Sequence, residues 1–163
     1  MPASESITIT TFRDELADDF DRINRAWLIA GSYLEPADEV YLDAPRATII
    51  DAGGEIFFAM LGTTVVGTAA AIPLGSDVFE LAKVGVTPSA QGRGLGRLLT
   101  MAAIEYARQR GAARVVLTSN QRLTAAVALY RSLGFAEMPC PPGFGYVTAD
   151  IYMELALPVA RTT

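Results

Sequence analysis

The chain has 163 residues, 51% of them apolar, the size of one domain able to bury a sizeable core. Its 13 basic and 18 acidic residues give a net charge of −5, which argues against a nucleic-acid binder held by a general basic surface. With no His and a single cysteine, Cys140, an internal disulfide, the usual zinc sites and a Ser-His-Asp triad are excluded, so any chemistry rests on carboxylates, hydroxyls or backbone.

No apolar run approaches the roughly 18 residues of a membrane span. The start MPASESIT lacks the basic and apolar regions of a signal peptide, so a cytoplasmic location is expected, with no membrane partner. One domain is expected over residues 1–163, ordered from about 6 to 157, with loose ends up to Glu5 and after Pro158.

Ile7 to Phe12 alternates Ile and Thr and reads as a first strand. From Asp14 to about Ala30, Leu16, Phe20, Ile23, Trp27 and Leu28 recur at three- and four-residue steps, an amphipathic helix with acidic residues gathered at its start. Gly31-Ser32 breaks it, and a short helix from Pro36 to about Leu42 follows, with Pro at its first position. Arg46 to Asp51 leads to the turn Ala52-Gly53-Gly54. Ile56 to Leu61 and Val65 to Pro73 form a hairpin across Gly62-Thr63-Thr64, and Gly75-Ser76-Asp77 turns into a third strand, Val78 to Val86.

That strand ends at Thr87-Pro88 and runs through Gln91-Gly92-Arg93-Gly94-Leu95-Gly96 into a helix striped by Leu95, Leu98, Leu99, Ala102, Ala103 and Tyr106, which stops near Gly111. A glycine-rich loop opening into a helix is a phosphate cradle, since backbone N–H groups and the positive end of the helix dipole meet there. A Walker loop is excluded because Gly96 is followed by Arg97-Leu98 rather than Lys-Ser or Lys-Thr, and a GxGxxG fingerprint is excluded because position 97 is Arg.

Arg114 to Thr118 is a fully apolar strand, predicted to lie parallel to the strand before the loop, so that strand, helix and strand make one βαβ unit. After the loop Ser119 to Leu123, Thr124 is placed to cap a helix from Ala125 to Leu133, with Gly134 at its C′ position. Phe135 to Met138 and Tyr146 to Leu155 are the last strands, separated by a Pro- and Gly-rich segment.

Two stretches then point to a known family. Gln91 to Gly96 matches the Q/R-x-x-G-x-G/A loop of the GCN5-related N-acetyltransferases (GNAT), and Asn120 through Phe135, NQRLTAAVALYRSLGF, resembles that family's second signature, N…A…LYxxxGF. The resemblance covers most of the chain, matches only in outline before about Ala52, and is strongest to small stand-alone bacterial members. It implies an α/β (α+β) fold with a mixed, mostly antiparallel twisted sheet of six to seven strands, about four helices, and strands splayed at an acetyl-CoA site.

The implied reaction moves an acetyl group from acetyl-CoA, as co-substrate and without a metal, to a primary amine that must first lose a proton. Glu80 matches the position of the family's glutamate base, and alternation puts it on one face with Ala82, Val84 and Val86, an apolar setting that raises a carboxylate's pKa. The alternative for Glu80 is an ion pair. Lys83, on the opposite face by alternation, reads as the partner of some other carboxylate. Tyr130, the Tyr of LYxxxGF, resembles the general acid for the departing thiolate, or else is a core aromatic beside Val127 and Leu133.

For the co-substrate, the resemblance points to the backbone of Val84, Gly85 and Val86, the loop Gln91, Gly92, Arg93, Gly94, Leu95, Gly96 and Arg97, and Asn120 and Tyr130. The two arginines are otherwise solvated loop residues, and Asn120 otherwise a turn residue. Gly85 invites a bulge that would splay the strands. Trp27, Tyr33, Glu35, Tyr41, Phe144 and Tyr146 are candidates to line the acceptor pocket, with Glu35 otherwise an exposed carboxylate. The high apolar content allows a homodimer, and the rival readings are a non-catalytic acyl-CoA sensor and an interaction domain.

Overall fold

In β2 (Glu55–Leu61), successive side chains go to two different cores: Ile56 and Phe58 to one, Phe57 and Ala59 to the other. The next strand, β3 (Thr64–Pro73), is buried almost throughout, with small residues at Gly67, Ala69, Ala70 and Ala71 that admit helices close on both faces. This computed structural model describes residues 5–75 and 77–158. The loose ends expected before Glu5 and after Pro158, and Ser76 of the Gly75-Ser76-Asp77 turn, lie outside the described residues.

Among the described residues, seven strands form one sheet. With β1 (Ile7–Thr11), β4 (Val78–Val86), β5 (Arg114–Ser119), β6 (Ala136–Glu137) and β7 (Ile151–Ala156), the order is β1-β2-β3-β4-β5-β7-β6, antiparallel except for β4 and β5. The sheet is mixed and mostly antiparallel, as expected. Helices α1 (Ala17–Ala30) and α2 (Pro36–Asp43) cover one face through Phe20, Ile23, Leu28 and Leu42. On the other face α3 (Leu95–Gln109) contributes Leu95, Leu99, Ala103 and Ile104, and α4 (Thr124–Ser132) contributes Tyr130. Each fully buried large apolar side chain contributes about 1.5–3 kcal/mol, so both layers are needed to hold the sheet.

Several local readings are revised. Arg46–Ile50 forms a single turn of π-helix, and β6 has two residues rather than four. Leu123, not Thr124, precedes the first turn of α4, and no side chain caps it. The last strand starts at Ile151, so Tyr146 lies in a strap, residues 138–150, that crosses the end of the sheet.

The end of α4 shows why its sequence ends in GF. Gly134 takes φ +102°, and the Phe135 N–H donates to the Tyr130 carbonyl at 3.0 Å while the Gly134 N–H donates to Arg131 at 3.1 Å. This is a Schellman turn, closed by the Phe135 ring edge-on to Tyr130 at 5.8 Å. Glycine supplies the left-handed residue, and Phe135 fixes where the Tyr130 ring stands.

The parallel pair β4 and β5 is joined only from Val78↔Arg114 to Glu80↔Val116, whereas β5 continues beside β7 as far as Ser119↔Ile151. Beyond Glu80 the two strands therefore part, the splay expected at the co-substrate site.

Candidate active site

The strand leading away from Glu80 is not regular. Thr68 of β3 faces Gly85, while Ala70 faces Ala82, so Lys83 and Val84 together oppose Ala69 in a β-bulge. Lys83 takes φ +53°, a left-handed conformation that costs a non-glycine residue about 1–2 kcal/mol.

The extra residue reverses the alternation. Ala82 packs in the α1/α2 layer, but Val84 and Val86 pack in the α3 layer, and a Cβ on Gly85 would meet the Trp27 indole. The expected common face of Glu80, Ala82, Val84 and Val86 is therefore corrected: the last two point to the opposite layer. Lys83 is corrected as well. It does pair with a carboxylate, Asp38 at 2.5 Å, but on Glu80's side of the sheet, with both side chains only 4% exposed.

The bulge expected at Gly85 thus forms just before it, at Lys83 and Val84, and of the three side chains that hold it Thr68 and Asn24 were not among the sequence candidates. The Thr68 hydroxyl donates to the Lys83 carbonyl at 2.8 Å, and Asn24 donates to Thr68 Oγ1 and to the Phe20 carbonyl, both at 2.9 Å. Trp27 Nε1 in turn donates to Asn24 Oδ1 at 3.0 Å. Asn24 and Thr68 are fully buried, which is tolerable because their polar groups are paired. A buried Asn four residues after Phe20 on the core face of α1 was the signal available.

Glu80 lies at the start of the splay in a cavity of about 270 Å³. It is lined by Trp27, Tyr33 and Tyr146, by Asp38 and Lys83, by Val84, Gly85 and Val86, and by Asn120, Tyr130 and Gln91. The structure thus brings residues of α1 (Trp27, Leu28), α2 (Asp38) and the strap (Tyr146, Thr148) into one cavity with the candidate base. Tyr41, Phe144 and Glu35 do not line this cavity.

Burial raises the Glu80 carboxyl to about 7, with Lys83 opposing the rise, so the group exchanges its proton in the neutral range. Burial pushes the Tyr130 phenol well above its ordinary value, so it keeps its proton. Tyr146 is raised strongly, by burial first and then by the charge of Glu80, and Tyr41 is raised by the same two causes.

Glu35 ties the strap down rather than lining the pocket. Its carboxylate accepts the N–H groups of Val147 and Thr148, both at 2.9 Å, and the Thr148 hydroxyl at 2.7 Å. Burial works to raise its pKa, but the Thr148 hydroxyl, the two N–H groups and the charge of Lys83 outweigh it and leave the net shift downward. Asn120 does similar work, donating to the Thr148 carbonyl at 2.8 Å and accepting the Arg122 N–H at 2.9 Å.

A second hollow lies over the start of α3, lined by Gln91, Gly92, Gly94, Leu95, Gly96 and Arg97 and reaching Val86 and Leu129. Gly92 and Gly94 have φ +82° and +76°, and a Cβ on either would meet nothing within 4 Å, so these glycines serve the turn and leave open backbone. Gln91 donates to the Val86 carbonyl at 3.1 Å, and Arg97 to Ser132 Oγ at 2.7 Å. Arg93 is exposed and lines neither hollow. The two hollows meet at Val86 and Gln91, so an extended ligand with an anionic group at one end fits along the splay, its anion against the N-terminus of a 15-residue helix.

A family model described as the acetyltransferase (GNAT) family matches residues 11–135. Among curated proteins, a mycothiol acetyltransferase of Renibacterium salmoninarum is 41% identical over 80 residues, 48% of this chain and 24% of that protein. A mycothiol acetyltransferase of Nocardia farcinica is 52% identical over 59 residues, 36% of this chain and 20% of its own length. The chain thus spans about a quarter or less of the curated relatives it matches. Among solved structures, a GNAT-family acetyltransferase from Staphylococcus aureus superposes with a TM-score of 0.85 at 17% identity, covering 94% of this chain and all of the other. A GNAT-family acetyltransferase from Brucella melitensis, in complex with acetyl-CoA, gives 0.72 at 23% identity over 96% of this chain and 92% of its own. At these identities the structural likeness is one of fold.

Proposed function

Because the chain belongs to the acetyltransferase (GNAT) family, we propose that it moves an acetyl group from acetyl-CoA to a primary amine, with Glu80 as general base and Tyr130 as general acid. One observation carries the reading: a buried carboxylate raised to about 7 stands where β4 and β5 part, in one cavity with a phenol that holds its proton.

Acetyl-CoA supplies an electrophilic thioester carbonyl. Gly92, Gly94, Gly96 and the first turn of α3 hold its phosphates, assisted by Arg97, and the open edge of β4 at Val84 to Val86 aligns its amide-bearing arm as an added strand. Glu80 takes a proton from the acceptor's ammonium, and the freed amine forms the new C–N bond as the C–S bond breaks. Tyr130 delivers its proton to the departing sulfur, the nitrogen gives up its second proton as it becomes an amide and so restores the phenol, and Glu80 passes the first proton to solvent. Trp27, Tyr33 and Tyr146 surround the acceptor.

The name of the matched relatives makes the acceptor used by mycothiol acetyltransferases the first candidate to assay, followed by a library of small amines and peptides. Calorimetry with acetyl-CoA is expected to give micromolar binding, and release of free CoA thiol is expected with at least one amine. Absence of binding overturns the proposal. Binding without turnover on any amine replaces it with an acyl-CoA sensor.

A further inference from the structure

Lys83 is the only lysine in the chain, and it occupies the one position of β4 with a left-handed backbone. Its ammonium lies 2.5 Å from Asp38 Oδ1 and 3.3 Å from the Tyr146 hydroxyl, over the Tyr146 and Tyr41 rings at 4.9 and 5.8 Å. Among the described residues lining the cavity it is the sole cation.

Packing does not explain this arrangement. Both members of the Lys83–Asp38 pair are buried, and a buried ion pair is commonly no more stabilising than an apolar pair of the same size. The bulge adds the strain of a positive φ and engages Thr68 and Asn24 to hold it. A regular strand would turn position 83 to the α3 layer, away from Glu80. What the strained geometry achieves is a fixed positive charge on Glu80's side of the sheet.

We propose that Lys83 is a positioning residue of the transfer reaction that acts through Glu80: turned onto that face by the bulge and anchored by Asp38, its ammonium offsets the cost of a buried carboxylate and keeps Glu80 available as a base. This rests on Glu80 being the base. The other groups around Glu80 are anionic or neutral. Asp38 and Tyr41 come from α2 and Tyr146 from the strap, while α1 presents Trp27 and the strand neighbours are Ile72 and Val116; Glu35, just before α2, acts on Lys83 and Tyr146 from outside the cavity. Among the described residues, only Lys83 favours the ionised form.

The test is a titration of the Glu80 side-chain carboxyl by carbon NMR in the full chain, paired with pH–rate profiles on an amine that turns over. In wild type the midpoint is expected at about 7. Lys83→Met is expected to move both the NMR midpoint and the acid limb to higher pH and to lower kcat at neutral pH about tenfold, with acetyl-CoA affinity unchanged. Where the single variant fails to fold, Lys83→Met with Asp38→Asn is compared with Asp38→Asn alone, so that the two differ only in the Lys83 charge and the same upward shift is expected. Lys83→Arg keeps the charge and is expected to return the midpoint toward wild type. A midpoint in folded Lys83→Met that coincides with wild type, or one in the double variant that coincides with Asp38→Asn, overturns the proposal. The base assignment fails separately, if Glu80→Gln retains the wild-type acid limb.

Discussion

Glu35 and Thr148 are 113 residues apart in sequence, yet the carboxylate of the first accepts both the N–H and the hydroxyl of the second. Together with the Val147 N–H this joins the start of α2 to the strap that carries Tyr146 over the cavity. Three hydrogen bonds to one charged group are worth more than neutral ones, roughly 1.5–3 kcal/mol each when buried and less where water reaches them.

Glu35→Ala should therefore loosen the strap without touching the phosphate cradle. The expected outcome is a KM for the amine raised about tenfold with the acetyl-CoA dissociation constant within a factor of two, read by steady-state kinetics and calorimetry. Equal losses for both substrates would mean that Glu35 supports the whole fold.

Glu80 links stability to pH. Its carboxyl is raised on folding from 4.5 to about 7, so the folded state binds a proton that the unfolded state releases. The stability of the protonated form is fully present below about pH 4.5 and lost as pH rises through about 7. Glu80→Gln, neutral throughout, should gain relative to wild type between pH 5 and 8, by at most about 3 kcal/mol. Denaturant melts at the two pH values check the sign.

Tyr130→Phe keeps the ring against Phe135 and removes only the hydroxyl. Stability should change by less than about 1 kcal/mol, and kcat should fall about 10²-fold with acetyl-CoA affinity retained. A kcat equal to wild type would make Tyr130 a core residue and nothing more.

Gly85→Ala tests how closely α1 sits on the bulged strand. The new Cβ would lie 2.7 Å from Trp27 Nε1 and 2.8 Å from its Cδ1, so the indole must move and its bond to Asn24 must give. A loss of about 1–3 kcal/mol is expected by thermal melts, with weaker binding at the acceptor end.

Which parts of this fold could be read from the sequence depends on how local their causes are. Glycines at 92 and 94 signal a left-handed turn by residue type alone, and GF at 134 and 135 does the same for the end of α4. The bulge was marked only approximately: Gly85 invites one, but it forms at Lys83 and Val84, with Gly85 paired to Thr68. Lysine has no preference for positive φ, and the conformation is imposed by Thr68 and Asn24, which come from other elements. Strict alternation therefore failed from position 83 onward, and with it the faces assigned to Val84 and Val86. Nothing in the sequence marks Asp38, because an acid in the first turn of a helix is ordinary. Tyr146 read as part of a strand, because the bonds from Glu35 and Asn120 that hold its loop apart come from distant residues.

The early parting of β4 and β5 has a mechanical consequence. The sheet is in effect two plates, β1 to β4 and β5 with β7 and β6, riveted by three rungs at one end and bridged by α3. A ligand threaded along the gap would work as a gasket, so the two plates should exchange amide hydrogens independently in the free protein and in unison once acetyl-CoA is bound.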